Sequence, residues 1–288
     1  MDLETVEKAI DSLEGYLDKT FGGGKVGIMG GEPTLHPQFK EICMLLQKKV
    51  PAHKCSLWTT GHRWNEYRDI IMKTFRDGVK YNDHSGPAQV HQPVLVAIDE
   101  VVPDKQLMWE LIDKCWIPER WSASITPKGG FFCEVAAALD MLFDGPGGYP
   151  LEKGWWNKTE DQFRDQMERY CTRCSEALPL PAHSNHEKKD LVSKGNLEHL
   201  LAVKSPKAMR GGYDVFDGIL TRENIQVYRN AWKATEEKNK LWKPWQYLGK
   251  SHSLNLTFKR YISLKDWWLV SPFDNIRRYW YRILALFQ

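Results

Sequence analysis

Two groups of chemically capable residues stand out in this 288-residue sequence. The first is Cys171-Thr-Arg-Cys174, a C-x-x-C pair that brings two sulfur donors to one turn and points to metal binding or thiol redox work. The second is Gly30-Gly31-Glu32-Pro33, directly after the apolar run Lys25-Val-Gly-Ile-Met29. Glycines at the end of a strand let a small ligand approach the backbone, and a glutamate that follows can accept from a ligand amine. The proline fixes the turn. The plainer alternative is a tight strand-to-helix turn with a capping glutamate. The turn carries neither G-x-G-x-x-G nor a G-K-[S/T] ending, so it is not a phosphate loop. No Ser-His-Asp set and no catalytic pair of carboxylates is visible.

Both groups need elements to hold them. Asp2 is placed to cap a helix whose apolar face is Leu3, Val6, Ile10, Leu13 and Leu17. Strands are predicted at 25–29, 54–59, 79–83 and 94–98, and helices at 37–49, 64–75 and 107–115. Strands that alternate with helices imply a parallel sheet, open or barrel-like, with ligands at the carboxyl ends of the strands. The pattern changes near residue 120. A hairpin is predicted from 121–126 to 131–134 through Pro127-Lys128-Gly129-Gly130, then a helix over 135–143 and another over 159–170 that delivers the C-x-x-C.

Composition limits the rest. Forty Lys+Arg against 37 Asp+Glu gives a net charge of +3, which excludes a globally basic nucleic-acid coat. No run approaches the roughly 20 apolar residues of a membrane span. The opening Met-Asp-Leu-Glu is not a secretory leader, and six cysteines are too few for a secreted disulfide scaffold, so a cytoplasmic location is expected. Residues 241–288 differ, with eight Lys+Arg, two Asp+Glu and five of the 13 tryptophans. They read first as an extension docked by its aromatics and second as a surface for nucleic acid or an anionic membrane.

Gly-Gly-Glu-Pro-Thr-Leu-His-Pro at 30–37 resembles the second-strand motif of radical S-adenosylmethionine (radical SAM) enzymes. The hairpin, the segment from Phe131 to Asp140 with Cys133, and the Cys171/Cys174 pair are similar to the auxiliary-cluster modules (SPASM and twitch) that follow the barrel in that superfamily. The resemblance covers about residues 1–185. It implies a partial (β/α) barrel at 1–120, an auxiliary iron–sulfur module at 121–188 and a C-terminal extension at 189–288. It also implies that Gly30, Gly31, Glu32 and Pro33 bind the methionine amino end of SAM, with Thr60 and Asn82 on the same rim. Cys133, Cys171 and Cys174 would hold a [4Fe-4S] cluster. The expected activity is SAM-dependent radical chemistry on a small-molecule or peptide substrate, with an electron donor such as a flavodoxin or ferredoxin.

The sequence departs from the family at one point. Its cysteines are 43, 55, 115, 133, 171 and 174, and none forms the C-x-x-x-C-x-x-C triad that holds the catalytic cluster. The first strand and the cluster loop are therefore expected to be missing from this chain, and with them reductive SAM cleavage. Three thiolates leave the auxiliary site one short, and Asp140, His183, His186 or no protein group at all are open as the fourth ligand. Cys43, Cys55 and Cys115 read as core residues. The competing metal is zinc on Cys171, Cys174, His183 and His186, which would make the chain a zinc-stabilised binding protein acting on nucleic acid or an acidic partner through its tail.

Overall fold

The computed structural model describes residues 1–17, 25–81, 90–115, 117, 123–159, 161–184 and 187–239. The chain divides into two compact units, one within residues 1–86 and one within 87–240. The fold is mixed α/β with small sheets. Among the described residues, no helix is long and apolar enough to cross a membrane.

The first unit opens with helix α1 (Leu3–Ser12), whose N-terminal cap is the Asp2 carboxylate accepting from the Thr5 amide at 2.8 Å. Val6, Ala9 and Ile10 form its buried stripe. The helix stops short of the predicted Leu17, and Gly15 with φ +79° lies in the turn that follows. Strands β1 (Val26–Ile28), β2 (Cys55–Thr59) and β3 (Val79–Tyr81) form a parallel sheet in the order β1-β2-β3. Its register pairs Ile28 with Leu57, and Leu57 with Val79. Helix α2 (Phe39–Lys49) connects β1 to β2, and helix α3 (Trp64–Phe75) connects β2 to β3.

Alternation along β2 explains its packing. Cys55, Leu57 and Thr59 are buried, whereas Ser56 and Trp58 are half-buried. The buried face meets Phe39, Cys43 and Leu46 of α2 and Ile71 and Phe75 of α3 in one apolar core. The buried thiols of Cys43 and Cys55 belong to this core, and burial pushes them up to about 12 and about 11 respectively.

The strand predicted at 94–98 does not extend this sheet. Leu95 makes a single parallel bridge to Val192, and Ile98 already begins a short helix, Ile98–Val101. The amides of Val96 and Ala97 donate to the hydroxyls of Ser175 (3.2 Å) and Ser193 (3.0 Å). Side-chain acceptors thus take the bonds that a strand ladder would have used. The apolar run is buried on all sides, and a pattern of apolar residues alone does not say against what.

The rest of the second unit includes helix Lys105–Ile112, an antiparallel hairpin of Ser124–Thr126 with Gly129–Phe131, and helix Glu134–Leu142. Helix Arg164–Tyr170 follows, with a 3-10 turn over Cys171–Arg173. The polar stretch beyond Pro181, which suggested no element, holds strand Asp190–Val192 and helix Lys194–Ala202. Strand Asp190–Val192 pairs in parallel with Tyr213–Val215.

One glycine in the first unit is required by space. A Cβ on Gly78 would stand 2.1 Å from the Cys55 carbonyl oxygen, at the point where the chain enters β3. Gly78→Ala is expected to lower the unfolding midpoint by forcing β3 away from β2, a loss of about 2 kcal/mol or more in denaturant titration.

Candidate functional site

The turn after β1 presents its backbone openly. Gly30 and Gly31 have φ of +100° and +54°, a region that favours glycine, and a Cβ on either would meet nothing within 4 Å. Pro33 then starts a 3-10 turn, Pro33–Leu35. The Glu32 carboxylate is occupied by the protein itself. Its Oε1 accepts from the Thr34 amide (3.1 Å) and from the hydroxyls of Thr34 (2.5 Å) and Thr59 (2.6 Å). Its Oε2 accepts from the amide and the hydroxyl of Thr60, each at 2.6 Å. Thr59 in turn accepts from the Gly61 amide at 3.0 Å.

Five donors on one carboxylate exceed its roughly four lone-pair directions. Glu32 therefore caps the turn and ties the end of β1 to the end of β2. The groups left for a ligand on this turn are the backbone of Gly30 and Gly31. Thr60 stands beside Glu32 as expected, and its hydroxyl is spent on the same carboxylate. Asn82 lies outside the described residues, as do Asp83 and His84.

Burial raises the Glu32 carboxyl, but the bonds from Thr34, Thr59 and Thr60 outweigh it and leave the group below its ordinary value. A lowered carboxylate contributes stability at neutral pH that is lost as pH falls through its folded value. Thermal unfolding followed from pH 7 towards pH 3 is expected to show the wild type losing stability more steeply than Glu32→Gln. Parallel curves would show that the charge on Glu32 does not hold the turn.

In the second unit, four cysteines line one cavity. Cys115, Cys133, Cys171 and Cys174 share it with Ile112, Phe132, Met167 and other apolar groups and with Glu176, and it is partly open to solvent. Three elements bring the thiols there. Cys133 is the N-terminal cap residue of helix Glu134–Leu142, immediately after the hairpin. Cys171 ends the run of helix Arg164–Tyr170, and the 3-10 turn closes with the Cys174 amide donating to the Cys171 carbonyl at 3.2 Å. Cys115 follows the end of helix Lys105–Ile112, with its amide on the Ile112 carbonyl at 2.9 Å. None of the four is joined in a disulfide.

Burial dominates their chemistry. It pushes Cys133 up to about 12, against the pull of the Val135 and Ala136 amides at the helix start. It raises Cys171 and Cys174 further, and each also feels the charge of neighbouring thiols in the set. Without a cation in the cavity these groups stay protonated at neutral pH. A positively charged metal centre would reverse that, since metal binding drives thiols to thiolates with release of protons.

Cys115, read from the sequence as a core residue, packs against the apolar cluster that includes Cys133 and Cys174 and also lines the cavity. The helix was expected to run through it, but it ends three residues earlier, at Ile112. The available signal was position, because Cys115 and Cys133 bracket the hairpin on its two sides. The other candidates for a fourth ligand are engaged elsewhere. Asp140 is fully buried and takes Tyr170 Oη (2.6 Å), the Gly147 amide (2.9 Å) and Lys128 Nζ (3.3 Å). His183 Nδ1 lies 3.0 Å from Glu187 Oε2, and its strand His183–Ser184 pairs with Val90–His91. His186 lies outside the described residues.

Among the described residues, no group of three or more His, Cys, Asp or Glu is placed to hold a metal ion. The four cysteines are among the residues that line the one cavity. A cluster carries its irons apart and takes one thiolate at each, so it asks for a wider ring of sulfurs than a tetrahedral zinc does. The donor set and the apolar lining therefore fit an iron–sulfur cluster. No protein-family model matches this chain, and no match to it was found among curated proteins.

Proposed function

We propose that this chain is an iron–sulfur protein whose second unit holds one [4Fe-4S] cluster on Cys115, Cys133, Cys171 and Cys174. The observation that carries the proposal is the convergence of these four thiols on one apolar cavity. An iron–sulfur cluster with a cysteine at every iron supplies one-electron transfer, and it leaves no iron open to ligate a substrate. The chain's own part is to deliver four thiolates, exclude water with Ile112, Phe132 and Met167, and hold the sulfurs in place.

The wider reading is of radical SAM type. It rests on the resemblance of residues 30–37 and 122–174, with SAM docking its amino end on the Gly30–Gly31 backbone and Glu32 and Pro33 shaping that turn. The triad needed to cleave SAM reductively does not occur in these 288 residues, so the activity proposed for the chain itself is cluster binding and electron transfer. The zinc alternative would need His183, which is paired with Glu187. It gains no support from the described geometry.

Anaerobic purification followed by iron and acid-labile sulfide analysis tests the proposal. The expected result is a brown protein with about four irons and equal sulfide. Cys115→Ser is expected to lower the iron content as Cys133→Ser does, whereas Cys43→Ser is expected to retain it. A colourless protein with one zinc, or a Cys115→Ser variant indistinguishable from wild type, would overturn the assignment.

A further inference from the structure

Two buried amide side chains bind the backbone immediately beside the cavity cysteines. Gln166, 1% exposed, sits on helix Arg164–Tyr170 five residues before Cys171. Its Nε2 donates to the Gly130 carbonyl at 3.0 Å, and its Oε1 accepts from the Phe132 amide at 3.1 Å. It thus joins the helix that delivers Cys171 to the strand that delivers Cys133. Gly130 has no room to move at this point. Its amide and carbonyl also pair with Tyr149 (2.9 and 2.8 Å), and a Cβ there would stand 2.5 Å from the Trp155 ring.

Asn196, fully buried, does the corresponding work for the C-x-x-C turn. Its Nδ2 donates to the Arg173 carbonyl (3.0 Å) and the Leu95 carbonyl (2.9 Å), and its Oδ1 accepts from Arg173 Nε (3.1 Å) and Nη2 (2.8 Å). On the other side of Cys174, the Ser175 hydroxyl donates to the Pro93 carbonyl at 2.6 Å and accepts from the Val96 amide at 3.2 Å. Cys174 is therefore held between two anchored neighbours, and the Arg173 guanidinium lies 4.7 Å over the Phe143 ring.

Apart from the Glu176 amide, which donates to Cys174 Sγ at 3.4 Å, the lining meets the cysteine side chains mainly with apolar groups. Hydrogen bonds between the thiols would be weak, and dispersion with the lining is not directional. The directional restraint comes from the two amides, which use all their contacts on backbone or on Arg173. We propose that Gln166 and Asn196 are positioning residues that hold the cavity cysteines in their receptive geometry before the cluster is inserted. They set the Cys133-to-Cys171 separation and the orientation of the Cys171–Cys174 turn respectively. The inference rests on the cluster reading above and adds that this geometry is a property of the apo protein. Partners that support ligating groups in this way commonly change metal affinity by about 10–100-fold when removed.

The test compares Gln166→Met and Asn196→Leu, which keep approximate volume and remove the hydrogen bonds, with Asn224→Ala. Asn224 accepts from the Thr221 amide and donates to the Ile219 carbonyl, away from the cavity. Each variant is reconstituted anaerobically with limiting ferrous iron and sulfide, and cluster loss to an iron chelator is timed beside thermal unfolding of the apo form. Gln166→Met and Asn196→Leu are expected to lose the cluster about 10-fold faster than wild type, with an altered EPR line shape in the reduced state. Asn224→Ala is expected to match wild type in rate and spectrum despite its lower midpoint. Wild-type retention and line shape in both amide variants would overturn the positioning role and leave the cluster intact. A wild type that takes up no iron would overturn the cluster reading and the positioning role with it.

Discussion

Burial of sulfur among apolar groups is the constraint from which the second unit's organisation follows. A thiol surrounded by apolar groups favours its protonated form and makes only weak directional bonds. To bring four of them to one space from three distant stretches of chain, the fold has to fix the backbone at each. It does so with a hairpin packed under Gly130, a helix start at Cys133, a helix end at Cys171 and a 3-10 turn clasped by Asn196. Glycine at 130 and full burial at Asn196 are consequences of that demand.

The first unit solves a different problem by a related device. There a carboxylate is the hub, and five hydrogen bonds from three threonines converge on Glu32 to join the ends of β1 and β2. With the side chain consumed in this way, the open backbone of Gly30 and Gly31 is what the rim offers to a ligand.

Much of the framework was legible in the sequence because it depends on local patterns. The α3 boundaries, the strand at β2, a hairpin through the Gly-containing segment 127–130 and the helix after Cys133 follow from apolar spacing and glycine placement, although Gly129 and Gly130 belong to the second strand and not to the turn. Legibility failed where long-range packing decides. The apolar run at 94–98 was read as a sheet strand, but Ser175 and Ser193, about 80 and 96 residues away in sequence, claim its amides. The helix read through Cys115 stops at Ile112, and Cys115 packs against the core from the turn that follows. Glu32 was weighed both as a ligand group and as a cap. Only the position of Thr59 and Thr60 across the sheet, which no local pattern encodes, shows how fully the protein occupies it.

The central claim is that four cysteines from three elements share one multi-iron cluster. Native mass spectrometry of the anaerobically purified chain addresses it directly, because it reads metal and sulfide together on the intact protein. The account predicts a single species heavier than the apo chain by four irons and four sulfides, reverting to the apo mass after acid treatment. A species heavier by one zinc, or the apo mass alone after reconstitution with iron and sulfide, would contradict it.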